Sequence, residues 1–150
     1  MTAGPREDML LYFRLFTEIS IIAQLAGSRL ERVLPQGMSQ AQFGVLTHFM
    51  RQGGQWAPSR LAAAFQVTKG AMTNTLQRLE AQGYVRIRAD ENDARAKLVE
   101  ITEAGKRAHE KAVRGTGAMF AELSGLISPA DVQAALPFLE SLRRIMDEHR

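Results

Sequence analysis

A chain of 150 residues is long enough to bury a real core in one domain, and 45% apolar with 23% charged residues is ordinary for a globular protein. The absence of cysteine removes disulfides, thiolate chemistry and Cys-ligated zinc, and the three histidines (His48, His109, His149) form no close ligand pair, so no metal or other cofactor is expected. The net charge is only +3, but it is unevenly spread. No Asp or Glu occurs in the 48 residues between Glu31 and Glu80, in a chain with 16 acids, while Arg32, Arg51, Arg60, Lys69 and Arg78 lie there. Such a gap favours an anionic partner.

The N-terminus carries Glu7 and Asp8 where a signal peptide would carry bases. Within the N-terminal apolar segment the longest uncharged stretch, Ile19 to Ser28, is 10 residues. That is short for a bilayer span, so a soluble, cytoplasmic protein with no membrane contact is expected. Residues 8–33 read as one long helix, with Leu11, Leu15, Ile19, Ile22, Ala26 and Leu30 at steps of three and four. Leu10, Phe13, Phe16 and Ile21 widen that stripe to most of the circumference, which calls for burial on more than one side and hence a partner subunit. Pro35 and Gly37 end it.

Ser39 and Gln42 form a capping box for a second helix with Phe43, Leu46, Phe49 and Met50 inward. Gly53-Gly54 stops it, and Pro58 opens a short third helix with Leu61, Ala62 and Phe65. After a turn of Gln66, Val67 and Thr68, the Thr68 hydroxyl caps a fourth helix that Gly83 closes. Residues 84–88 and 97–102 alternate and read as two strands joined by a polar loop at 89–96. Thr102 caps a fifth helix expected to run to about Leu126. Ser128-Pro129 starts a sixth, with Val132, Leu136, Leu139, Leu142 and Met146 in register and Pro137 expected to kink or split it.

Helices two to four, followed by a hairpin, read as a helix-turn-helix with a wing, in which the last helix can enter a major groove. On that helix Met72, Leu76 and Leu79 share a core face, and Gly70, Thr73, Asn74 and Gln77 share the opposite one. A solvated face would ordinarily carry Glu–Lys pairs. This one carries no acid, and its side chains suit base edges: Asn and Gln pair bidentately with adenine and Thr meets a thymine methyl. Gly70 costs about 1 kcal/mol relative to Ala in a helix, which something should offset. Lys69 and Arg78 flank the face, and the amides capped by Thr68 form a phosphate site. Arg86, Arg88 and Lys97 line the hairpin. Arg95 sits near its tip, where it can enter a minor groove, with Asp93 placed to aim the guanidinium.

The run TKGAMTNTLQRLEAQGYVRIRADENDARAKLVEITEAGK resembles the MarR family of winged helix-turn-helix regulators, through L-E-x-x-G-Y-V at the end of the recognition helix, D-x-R in the wing and the following L-V-x-I-T-x-x-G. ALPFLESLRRI is similar to that family's C-terminal dimer helix. The resemblance implies a mainly α fold with a small β wing, a winged helix-turn-helix at about 39–102 and dimerisation helices at about 8–33 and 103–148 of a single 1–150 domain. It implies a homodimer on a pseudo-palindrome of double-stranded DNA, with Thr73, Asn74 and Gln77 reading bases and Asp93 and Arg95 at the wing tip. Asn92 stands where the family often has another arginine. The dimer interface is expected to use Leu10, Phe13, Phe16, Val132, Leu136, Leu139, Leu142 and Met146. A helix of about 24 residues is roughly 36 Å long, matching half-sites one turn apart at about 34–36 Å.

The family also implies a ligand-responsive repressor with a small aromatic or anionic effector, for which His48 and Trp56 are the candidate contacts. Their competing explanation is structural: His48 as a partly buried residue, Trp56 as packing for the wing base. Nothing in the acid pattern resembles a catalytic pair, so no enzyme is expected. The alternative is a dimeric winged-helix interaction module without sequence-specific DNA binding.

Overall fold

The structure, a computed structural model, describes residues 4–149. Its elements in chain order are α1 (Pro5–Val33), α2 (Gln40–Gln52), α3 (Pro58–Phe65), α4 (Lys69–Ala81), β1 (Val85–Asp90), β2 (Asp93–Ile101), α5 (Glu103–Gly115), α6 (Gly117–Ser124) and α7 (Pro129–Glu148). The described residues fall into two compact units, the first ending at Gly115 and the second starting at Thr116.

Local chemistry accounts for most boundaries. Glu7 Oε2 accepts from the Gly4 amide at 3.1 Å, starting α1 ahead of Asp8. Ser39 and Gln42 form the reciprocal box: the Ser39 hydroxyl accepts from the Gln42 amide at 3.1 Å, and Gln42 Oε1 accepts from the Ser39 amide at 3.0 Å. Pro58 occupies the first turn of α3, where a missing N–H costs nothing. Thr102 serves two neighbours, accepting from the Gly105 amide at 3.0 Å and donating to the Gly83 carbonyl at 2.6 Å. That pair of bonds fixes where α5 leaves the wing. Gly105 must stay bare there, because a Cβ would lie 2.1 Å from the Tyr84 carbonyl oxygen.

The core of the first unit is built by α2, α3, α4 and the hairpin. Val45, Leu46, Phe49, Leu61, Ala62, Met72, Leu76, Leu79, Val85 and Val99 are all at most 3% exposed. Met50, expected inward, is exposed; Val45 and His48 take the inward positions of α2 instead.

Four features differ from the sequence reading. The fifth helix does not run to Leu126: it stops at Gly115, and α6 begins at Gly117. Two glycines around Thr116 remove the propensity that would carry a helix across, at about 1 kcal/mol each. The hairpin is longer and its loop shorter than expected, because pairing continues to Asp90 and Asp93 across Glu91-Asn92. Pro137 does not split its helix, since α7 is continuous from Pro129 to Glu148. Finally, α1 is long and apolar enough to cross a bilayer by length and composition, a test the uncharged-run criterion missed. Arg14 and Glu18 lie within it, and a charge at the centre of a bilayer helix costs about 2.5–3.5 kcal/mol.

The outer helices carry little buried surface of their own. In α1 only Gly27 is buried, and none of α7 is. Leu10, Phe13, Phe16, Val132, Leu136, Leu139 and Met146 are exposed, Phe13 to 70%, whereas Leu142 is half-buried.

Candidate nucleic-acid interface

Three core leucine and methionine side chains orient α4. Met72, Leu76 and Leu79 recur at steps of four and three and are 3%, 1% and 0% exposed. The opposite face is therefore solvent-facing, and Gly70, Thr73, Asn74 and Gln77 are all exposed on it, with Lys69 and Arg78 beside them. A Cβ built on Gly70 meets nothing within 4 Å, so no part of this chain requires the glycine. The Thr68 hydroxyl accepts from the Ala71 amide at 3.1 Å and satisfies one free N–H of the helix start.

The turn before α4 is built by an unusual backbone. Gln66 lies at φ 53°, ψ 42°, a left-handed conformation that a non-glycine residue adopts at a cost. Its side chain offsets part of that cost by donating to the Ala63 carbonyl at 2.9 Å. Val67 N–H returns to Ala62 at 3.1 Å, which closes α3 and turns the chain into α4.

The wing is pinned to this helix and to the segment before α3. Glu80 Oε2 accepts from the Ile87 amide at 3.0 Å, tying the end of α4 to the outer edge of β1. On the other edge, Trp56 and Val99 exchange both backbone hydrogen bonds at 2.9 Å, giving β2 a one-residue third strand. The Trp56 indole donates to the Gly53 carbonyl at 2.9 Å. Its ring meets His48 edge-on at 4.5 Å, and the Arg60 guanidinium lies 4.4 Å above it. His48 is buried, its Nε2 has no hydrogen-bond partner among the described residues, and burial, reinforced by Arg51, pushes its pKa below the ordinary value. Both rings thus sit in packing between α2, α3 and the wing base.

At the wing tip, the Asp93 carboxylate accepts from the Arg95 backbone amide at 3.0 Å, and Asp90 does the same for Asn92 at 2.9 Å. Asp93 was expected to hold the Arg95 guanidinium; it shapes the turn instead, and among the described residues that guanidinium and the Lys97 ammonium have no ion pair. Arg95 lies on β2 beyond the turn, where residues 94–96 have no partner across the bulge at Ala89/Asp90. Arg86 and Arg88, expected as contacts of the wing, both reach Glu100 of β2. In the sequence Glu100 reads as an ordinary polar member of an alternating strand, and only the register of the folded hairpin places it across from Arg86.

An exposed, acid-poor helix face beside an arginine-bearing hairpin is the arrangement of a winged helix, and comparison with known proteins agrees. A sequence profile of the MarR family matches residues 36–96, which span α2 through the wing tip. The transcriptional activatory protein BadR of Rhodopseudomonas palustris is 27% identical over 144 residues, covering 91% of this chain and 81% of BadR. Wild-type MarR from E. coli superposes with a TM-score of 0.73 at 28% identity, over 85% of this chain and 96% of that one. Over α2 through the wing, then, the chain resembles the MarR family. A variant of E. coli MarR solved in complex with operator DNA also matches, with a TM-score of 0.68 and 26% identity, over 93% of this chain and 99% of that one. As in the sequence-based expectation, the chain is mainly helical with a small antiparallel wing.

Proposed function

We propose that the protein is a homodimeric transcriptional regulator that binds double-stranded DNA sequence-specifically, with α4 in the major groove and the wing beside it. The observation that carries this reading is the exposed face of Gly70, Thr73, Asn74 and Gln77, which lacks acids and lies on a rigid helix anchored by three buried side chains. Asn74 and Gln77 supply bidentate base readout and Thr73 an apolar or hydroxyl contact. Lys69, Arg78 and the amides next to Thr68 supply phosphate contacts that fix register. Arg95 and Lys97 are the wing's cations without an ion pair among the described residues. The MarR variant that was solved with operator DNA supports the same use of the fold.

Surface left over supports the dimer. Leu10, Phe13 and Phe16 on α1, and Val132, Leu136, Leu139 and Met146 on α7, expose apolar side chains at helical spacing. Contiguous apolar surface of this kind marks an interaction site. A second copy of the same helices covers both faces by an isologous contact. At 1.5 Å per residue the 29 residues of α1 extend about 43 Å, enough to hold two readers one DNA turn apart at about 34–36 Å. A small effector that prefers one spacing of the two readers would change DNA affinity by the ratio of its affinities for the two arrangements.

The test is selection of bound fragments from genomic DNA, followed by titration of the winning duplex between 50 and 200 mM salt with the oligomeric state measured by sedimentation. The expected result is a dimer that prefers a pseudo-palindrome and loses about three to five decades of affinity over that range, for 6–10 phosphate contacts. A monomer indifferent to every duplex at low salt would overturn the reading in favour of an interaction module.

A further inference from the structure

Glu100 lies between Val99 and Ile101 on β2, and it projects from the face of the hairpin opposite the one that enters the core. Its Oε1 takes Arg86 Nη1 at 3.5 Å and also Arg88 Nη2, and its Oε2 accepts from Gln55 Nε2 at 3.1 Å. Both carboxylate oxygens are thus engaged, and the side chain is 24% exposed against 61% and 50% for the two arginines. The arginines lie two residues apart on β1, so both extend from the same face toward one acid. Two guanidinium charges sharing one carboxylate present a net charge of +1 where the bare arginines would present +2. The rest of the wing differs: Arg95 and Lys97 have no such partner among the described residues.

We propose that Glu100 holds Arg86 and Arg88 off the phosphate backbone, and so limits sequence-independent DNA affinity while Arg95 and Lys97 keep the wing's contact. This rests on the DNA-binding reading above and assigns a specificity-setting role to a residue that touches no base. Non-specific affinity comes almost wholly from cations meeting phosphates. The useful quantity for a regulator is the ratio of specific to non-specific binding. An acid that occupies two cations lowers the non-specific term and leaves the base contacts of α4 intact.

The experiment compares wild type, Glu100→Gln and the triple variant Glu100→Gln/Arg86→Ala/Arg88→Ala, each checked for folding by circular dichroism. Binding to an operator duplex and to a scrambled duplex is measured from 50 to 200 mM KCl. Glutamine keeps an oxygen for Gln55 and removes the charge. Glu100→Gln is expected to bind the scrambled duplex more tightly and to steepen the slope of log K against log salt by about 0.9 for each arginine released. Its operator-to-scrambled ratio should fall, and the triple variant should return to the wild-type slope. An unchanged slope in a folded Glu100→Gln, or weaker binding with a lower Tm, would overturn the proposal and leave the network a structural tie. In either case wild-type binding to operator would still stand, so failure here is separable from failure of the DNA-binding reading, which a wild type blind to all duplexes would show.

Discussion

Gly70 offers a test in which folding and function move in opposite directions. It lies in the second position of α4, and a methyl group added there meets no atom of the chain within 4 Å. Replacing Gly with Ala in a helix is worth about 1 kcal/mol. For a chain of this size that raises Tm by about 2–4 °C. If the exposed face rests in a groove, the same methyl is pushed against base edges, and overfilling a close-packed contact costs about 1–3 kcal/mol, or roughly 5- to 150-fold in affinity. Gly70→Ala is therefore expected to be a more stable protein and a poorer binder. Thermal unfolding followed by circular dichroism and titration of a labelled operator at fixed salt measure the two quantities on the same preparation. A stabilised variant with wild-type affinity would show that Gly70 faces open solvent in the complex and that α4 turns a different face to the groove.

Gly105→Ala should behave in the opposite way. Its Cβ would lie 2.1 Å from the Tyr84 carbonyl oxygen and 2.9 Å from Ile101 Cγ1, so the start of α5 must shift away from the wing. A loss of about 3 kcal/mol and a Tm lower by about 6–12 °C are expected, and an unaltered melting curve would refute that packing. Asn74→Ala and Gln77→Ala should each relax base preference at one position per half-site, by about 1–3 kcal/mol, read by selecting binding sites from a randomised pool; retention of full preference by both would reassign the reading face. Mild acid should weaken the fold. Burial lowers the pKa of His48 and of His109, whose ring stacks on Phe43 at 5.3 Å. Below the ordinary value of 6.5 the unfolded chain takes up protons that the folded chain refuses, so stability is full above that pH and declines as pH falls from it toward the lowered folded values. Urea midpoints at pH 7.5, 6.5 and 5.5 should fall in that order, and a flat series would mean that neither ring is held neutral.

The helix order was legible because it is written in local chemistry. The box of Ser39 and Gln42, the Thr68 cap and Pro58 lie within a few residues of the ends they define. The orientation of α4 was legible for a related reason: three apolar residues at helical spacing leave only one direction for Asn74 and Gln77. What could not be read was pairing across the chain. Asp90 and Asp93 look like loop residues, yet they close the strand ladder, because backbone groups pair whatever the polarity of the side chain. Asp93 was placed correctly near Arg95, but which of two donors it accepts from, amide or guanidinium, depends on the turn geometry. Glu100 meets Arg86 and Arg88 only once the register is known, and register depends on a bulge whose three extra residues no local signal announces.

The distribution of burial decides between two readings of α1. Among the described residues every buried apolar side chain belongs to the stretch from Val45 to Ala112, so the winged lobe holds its own core. Length and composition alone would let α1 lie in a bilayer, but that reading leaves α7 unexplained. There Val132, Leu136, Leu139 and Met146 are equally bare, on a helix that also carries Asp131, Glu140, Arg143, Arg144 and Asp147 and so is no candidate for hydrocarbon. A lipid partner accounts for one face at the cost of desolvating Arg14 and Glu18. A second copy of the chain accounts for both faces and desolvates neither charge, because each lies on a helix whose opposite side can remain in water. In the proposed homodimer the same contact would set the distance between two copies of α4, so the surface that looks surplus in one chain would let a pair of them measure a turn of DNA.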